Sequence, residues 1–116
     1  MSIILQRVYD TGAITPGHRI LVDRVWPRGI SKERARLKEW RRDLAPSSKL
    51  RQWFGHDPSR WDEFRAKYRA ELKSKQEEME RLKRIARRKT LVLLYGAKDP
   101  GHNQAVVLAE ILQGTK

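Results

Sequence analysis

Two stretches of this chain place chemistry-bearing side chains directly after apolar runs. One is Val22-Asp23-Arg24-Val25-Trp26-Pro27-Arg28-Gly29. The other is Leu94-Tyr95-Gly96-Ala97-Lys98-Asp99-Pro100-Gly101-His102-Asn103. A guanidinium is a planar fork matched to carboxylates and phosphates. Arg24 and Arg28 are therefore candidate anion-binding residues, with the Asp23 carboxylate orienting Arg24. The ordinary alternative for Asp23 and Arg24 is a structural ion pair, because a buried charge must be paired. Tyr95 offers a hydroxyl, and Trp26 a ring that either packs in the core or stacks on a ligand. Asp99 lies three residues before His102, which suits an orienter and a base, although that spacing is a weak signal. Asp99 also suits an Asx turn, and Asn103 falls at a helix start.

Two further groups join them. Asp43-Leu44-Ala45-Pro46-Ser47-Ser48 puts an acid and two hydroxyls before a helix. Ser47 or Ser48 is an N-cap by type, and free N–H groups at the same place can hold an anion beside Arg51. His56 follows Trp53-Phe54-Gly55. It is a candidate general acid or base if it faces the cleft, and Asp57-Pro58 reads as N-cap and N1 of the next helix. The candidate acid–base set is thus His56, His102, Asp23 and Asp99. The candidate ligand-holding set is Arg24, Trp26, Arg28, Asp43, Ser47, Arg51, Tyr95 and Asn103.

The three histidines and their neighbouring carboxylates follow no recognised metal-ligand spacing, and no glycine-rich phosphate loop or nucleophile elbow is present. No cofactor or metal is expected. The chain has no cysteine, which removes disulfides and thiol chemistry.

These residues need elements to hold them. Residues 3–9, 18–26 and 90–95 read as strands, and near-continuous apolar centres such as Ile20-Leu21-Val22 suit strands covered on both faces. Thr11-Gly12 and Pro16-Gly17 punctuate the first loop. Ser31 caps a short helix over 32–37, and residues 40–46 read as a short strand or extended segment. A helix runs from Ser47 or Ser48 to Phe54, with Gly55 at its C′ position. Trp61, Phe64, Tyr68, Leu72, Met79, Leu82 and Ala86 form a helical stripe reaching about residue 88, with a break near Ser74. Residues 103–113 form a closing helix, apolar on most sides. The expected fold is α/β: a single domain over residues 1–116, with a short, mainly parallel sheet and helices on its faces. In such a sheet ligands sit beyond the carboxyl ends of the strands.

The 116 residues carry a formal net charge of +12. Residues 24–51 hold ten Lys/Arg against three Asp/Glu, and residues 58–89 hold twelve against six. This field favours anionic partners, either a small anion or nucleic acid. It equally describes a soluble, arginine-rich surface. No apolar run reaches the length of a membrane span and no signal-peptide core is seen, so a cytoplasmic protein with no membrane partner is the expectation. Oligomeric state is not legible.

Several motifs in order carry a resemblance: Asp23-Arg24-Val25-Trp26-Pro27-Arg28-Gly29, Trp40 through Asp43 to Ser47, Trp53-Phe54-Gly55-His56-Asp57-Pro58, Trp61 through Phe64, and Leu94-Tyr95 with Asp99 and His102-Asn103. Together, from about Tyr9 to Leu112, the chain resembles the YeaO-like branch of domain of unknown function 488. The resemblance implies a compact α/β domain. It marks Asp23, Arg24, Trp26, Arg28, Asp43, Ser47, Phe54, His56, Tyr95, Asp99, His102 and Asn103 as signature positions, and it implies no reaction. The function expected is binding of a small anion, a phosphate ester or nucleotide, held by Arg24, Arg28 and Arg51. Proton transfer by His56 or His102 would be an addition to that binding. The alternative is a basic protein that contacts nucleic acid.

Overall fold

Four strands, β1 (Ile3–Arg7), β2 (His18–Leu21), β3 (Glu39–Trp40) and β4 (Leu91–Tyr95), form one parallel sheet in the order β1-β4-β2-β3. The computed structural model describes residues 1–10 and 14–114. The turn expected at Thr11-Gly12 lies outside the described residues. Every residue of β4 is buried, as its central place and unbroken apolar sequence require. Its side chains alternate between two cores. Leu91, Leu93 and Tyr95 face one, and Val92 and Leu94 face the other.

The larger core is roofed by helices α2 (Ser48–Phe54), α3 (Trp61–Leu72), α4 (Gln76–Arg88) and α5 (Gln104–Leu112). Each begins or ends where local chemistry dictates. Ser47 Oγ accepts from the Leu50 N–H, and Gly55 ends α2 in the left-handed region at φ 53°. Asp57 caps the turn at Pro58–Arg60 that leads into α3. A 3₁₀ turn at Lys73–Lys75 separates α3 from α4, which is the expected break near Ser74. Phe64, Tyr68, Leu72, Met79, Leu82 and Ala86 of the stripe are all buried. Tyr68 is wholly enclosed, and its hydroxyl donates to the Leu44 carbonyl, so the one polar atom it buries is satisfied.

The other face has a thinner cover. The one-turn helix α1 (Lys32–Ala35), capped by Ser31, packs Ala35 there with Ile30, Leu37 and the Trp26–Trp40 pair. The two indoles meet edge to face with centroids 5.2 Å apart.

Two expected boundaries are corrected. The second strand ends at Leu21 and does not reach Trp26. One further ladder bond follows, from the Val22 N–H to the Leu94 carbonyl, and then the chain leaves the sheet. The Asp23 carbonyl is taken by the Trp40 indole N–H at 2.8 Å, and its carboxylate by Gln104. Asp23 and Arg24 therefore lie on a loop, and strand alternation does not set where they point. Residues 40–46 hold the end of a two-residue strand, Glu39–Trp40, and then a 3₁₀ turn at Arg42–Leu44.

Candidate functional site

The sheet positions a site by its connections. After β2 the chain passes to α1 on the thin face, and after the adjacent β4 it passes to α5 on the thick face. Neighbouring parallel strands whose exits diverge leave a crevice at their carboxyl ends. A cavity of about 220 Å³ lies there, lined among others by Asp23, Arg24, Arg51, His56, Asn103 and Gln104, with Tyr9, Pro46, Phe54, Phe64 and Gly96.

Asp23 forms the inner wall. Gln104, the first residue of α5, donates its Nε2 to Asp23 Oδ1 at 2.6 Å and to the Val22 carbonyl at 3.2 Å. The Gly96 N–H also donates to the carboxylate. A Cβ at residue 96 would stand 2.7 Å from Asp23 Oδ2, so glycine is what lets the two exits approach. Burial raises the Asp23 pKa from 3.8 to about 6. The bonds from Gln104 and Gly96 and the positive charges of Arg51 and His56 pull it down, but they do not outweigh burial. Asp23 forms no ion pair with Arg24, so the structural pair considered from the sequence is absent.

The cationic wall comes from two segments. Arg24 is anchored by its Nε donating to the Pro46 carbonyl at 3.0 Å, which leaves the two terminal nitrogens for the cavity. The side chain of Arg51, on α2, makes no hydrogen bond or ion pair among the described residues. His56 sits just after the α2 cap with φ 57°, a left-handed backbone rare for a residue with a Cβ. Strain of this kind costs of order 1 kcal/mol and persists where the surroundings impose it. Here the preceding Gly55 is also left-handed, and the His56 ring lies 6.3 Å from that of Phe54.

Of the twelve side chains singled out, the structure brings five to the cavity: Asp23, Arg24, Arg51, His56 and Asn103. Asn103 is buried and occupied as the N-cap of α5, accepting from the Ala105 and Val106 N–H groups and donating to the Asp99 carbonyl. The other seven lie elsewhere. Asp99 and His102 do form a pair, Nδ1 to Oδ2 at 2.8 Å, but His102 meets the edge of Trp61 at 5.2 Å and does not line the cavity. Tyr95 is buried in the thick core, where burial raises its pKa. Trp26 donates its indole N–H to the Ile30 carbonyl at 2.6 Å. Arg28 is exposed, and its carbonyl accepts from the Tyr9 hydroxyl. Asp43 is chelated by Arg41 at 3.0 and 2.8 Å. Ser47 is taken up by its capping bond and by Glu71, whose carboxylate accepts from both its N–H and its hydroxyl.

Gln104 and Gly96 escaped the sequence reading. A glutamine in the first turn of a helix carries no signal of its own. The available clue was that the β4 exit and the α5 start must both pass the carboxyl end of β2.

Among the described residues no three His, Asp or Glu side chains come together as a metal site, and no helix is long and apolar enough to cross a membrane. No solved structure matches the chain. The chain is 44% identical over 113 residues to the uncharacterized protein YeaO of Escherichia coli strain K12, covering 97% of this chain and 98% of that one. It is 38% identical over 108 residues to the uncharacterized protein Rv3073c of Mycobacterium tuberculosis strain H37Rv, covering 93% and 91%. A family model described as the inactive DUF488-N3 subclade matches residues 2–115. The chain therefore belongs to the YeaO-like DUF488 family.

Proposed function

We propose that this protein binds a small phosphate ester, or the phosphoryl end of a nucleotide, in the cavity between the β2 and β4 exits, without turning it over. The observation that carries this reading is the grouping of Arg24, Arg51 and His56 around one concavity. Two guanidiniums with free donors and a strained histidine are poor investments for stability and good ones for an anion. The volume, about 220 Å³, is below the range usual for drug-sized ligands and suits a phosphoryl group with a few attached atoms. Binding without turnover agrees with the description of the matching subclade as inactive. It also agrees with the geometry, since among the described residues no carboxylate is bonded to the His56 ring and the paired histidine, His102, lies outside the cavity. The test is calorimetric titration with inorganic phosphate at pH 7.5 and near-physiological salt. Arg24→Ala and Arg51→Ala should each weaken binding about tenfold or more while the protein stays folded. Equal affinity in the parent and both variants would refute the reading.

A second reading has its own observation. Arg84, Arg87, Arg88 and Lys89, at the end of α4, are exposed and form no ion pair among the described residues. Such a cluster favours a nucleic-acid backbone, with affinity falling steeply as salt rises. No binding by the parent protein at near-physiological salt would eliminate it. Charge reversal at these four positions should flatten the salt slope and leave phosphate binding in the cavity unchanged.

A further inference from the structure

We infer that the ligand is a hydroxylated phosphate ester, one that presents an alcohol O–H to Asp23 while its phosphoryl group meets Arg24, Arg51 and His56. The inference rests on the anion-binding reading and specifies what the anion must carry with it.

The argument concerns unused acceptors. A carboxylate offers about four lone-pair directions. Gln104 fills one at Asp23 Oδ1, and the Gly96 N–H fills another. No other described side chain bonds to Asp23. Asp23 lines the cavity, so a donor bound there is placed to take up the remaining acceptor capacity. A site that served only a bare anion would gain by having no carboxylate there, because like charges at contact repel in a partly enclosed cavity. Asp23 is held in place from two elements, by Gln104 of α5 and by Gly96 after β4, the latter a position where a Cβ would not fit. It is therefore a built part of the wall. A ligand that places a donor between its phosphoryl group and Asp23 turns the repulsion into a charge-assisted hydrogen bond. A neutral hydroxyl fits better than an ammonium, since two guanidiniums already line the same small space. The size of the cavity limits the carbon frame to a few atoms.

The test compares ligands on the unaltered protein, so it does not depend on a variant folding. Glycerol 3-phosphate, methyl phosphate and sulfate are titrated calorimetrically at pH 8, where both esters are dianions. Glycerol 3-phosphate should bind about tenfold or more tighter than methyl phosphate, and sulfate should be weakest. In Asp23→Ala the preference should vanish, with methyl phosphate bound at least as well as by the parent. If methyl phosphate and glycerol 3-phosphate bind equally to the parent, the hydroxyl inference is overturned and the anion pocket stands. If none of the three binds and inorganic phosphate does not either, the anion pocket itself is refuted, and this inference with it.

Discussion

Glu39, the first residue of β3, and Asp23, just past the end of the neighbouring β2, are both partly buried carboxylates, yet their surroundings move them in opposite directions. Burial pushes both up. At Glu39 it is overcome: Arg81 donates to both carboxylate oxygens at 3.1 and 2.6 Å, His18 pairs at 2.6 Å, and the carboxyl falls to about 2. The cluster continues through Arg41, which also holds Asp43 and Glu78, and through Arg81 to Glu78. Every charge there has an opposite partner, and the cluster covers the sheet edge at β3, a strand of two residues with little ladder of its own. At Asp23 the partners bonded to the carboxylate among the described residues are neutral donors, and the carboxyl sits at about 6. One region spends its charges on the fold. The other keeps cations and a carboxylate apart around a cavity, an arrangement that makes sense when something else is to complete it.

The largest expected effect separates the two by pH. The folded-state pKa of Asp23 lies above its ordinary value, so the folded protein binds that proton more tightly. Its contribution to stability is present below pH 3.8 and lost as pH rises through about 6. The loss amounts to roughly 3 kcal/mol. Glu39 has the opposite sign: its contribution is present above pH 4.5 and lost as pH falls through about 2. Urea unfolding of Asp23→Asn from pH 4 to 7 should lack most of the downward slope of the parent protein. An unchanged slope would mean that Asp23 is not strained by burial.

Next in size, Glu39→Ala should cost about 2 kcal/mol, because Arg81, Arg41 and His18 lose a common partner. Phosphate affinity should be unchanged, and a parallel loss of binding would show that the two regions are not independent. His56→Gly should act in the reverse sense. Relief of the left-handed backbone should stabilise by about 1 kcal/mol, while phosphate binds several-fold more weakly. Destabilisation by this change would assign His56 to the fold. Smallest in stability is Arg51→Ala, within about 0.5 kcal/mol of the parent, since among the described residues the side chain has no hydrogen bond or ion pair to lose. Denaturation midpoints compared with titrations would expose any structural role.

The same contrast explains what could be read from the chain. Elements bounded by their own residues were legible: α2 between Ser47 and Gly55, α1 after Ser31, the turn opened by Asp57-Pro58, and the interrupted stripe from Phe64 to Ala86. The carboxyl-end location of the cavity followed from three predicted strands. The end of β2 was not legible, because Val22, Val25 and Trp26 continue an apolar pattern. What stops the strand is tertiary, the Trp40 indole and Gln104 seizing Asp23 from 17 and 81 residues away. The Asp99–His102 pair does form, since it is local, but its direction is set by packing on Trp61. Asp43 is taken by Arg41, two residues away, whose guanidinium is also held by Glu78 across the molecule. Spacing reports which groups can meet nearby in the chain. It is silent on which are already spent on distant partners.

The most direct measurement of whether the cavity groups exist for a ligand is thermal unfolding with and without 10-fold steps of phosphate, run in parallel on the parent, Glu39→Ala and the Arg24→Ala/Arg51→Ala double variant. Phosphate should raise the midpoint of the parent and of Glu39→Ala by about the same increment and leave the double variant nearly unmoved, because a ligand bound to the folded cavity stabilises by an amount that grows with the logarithm of its concentration over Kd. An equal rise in all three would show that phosphate acts on the +12 surface at large, and it would contradict the assignment of Arg24 and Arg51 to an anion site.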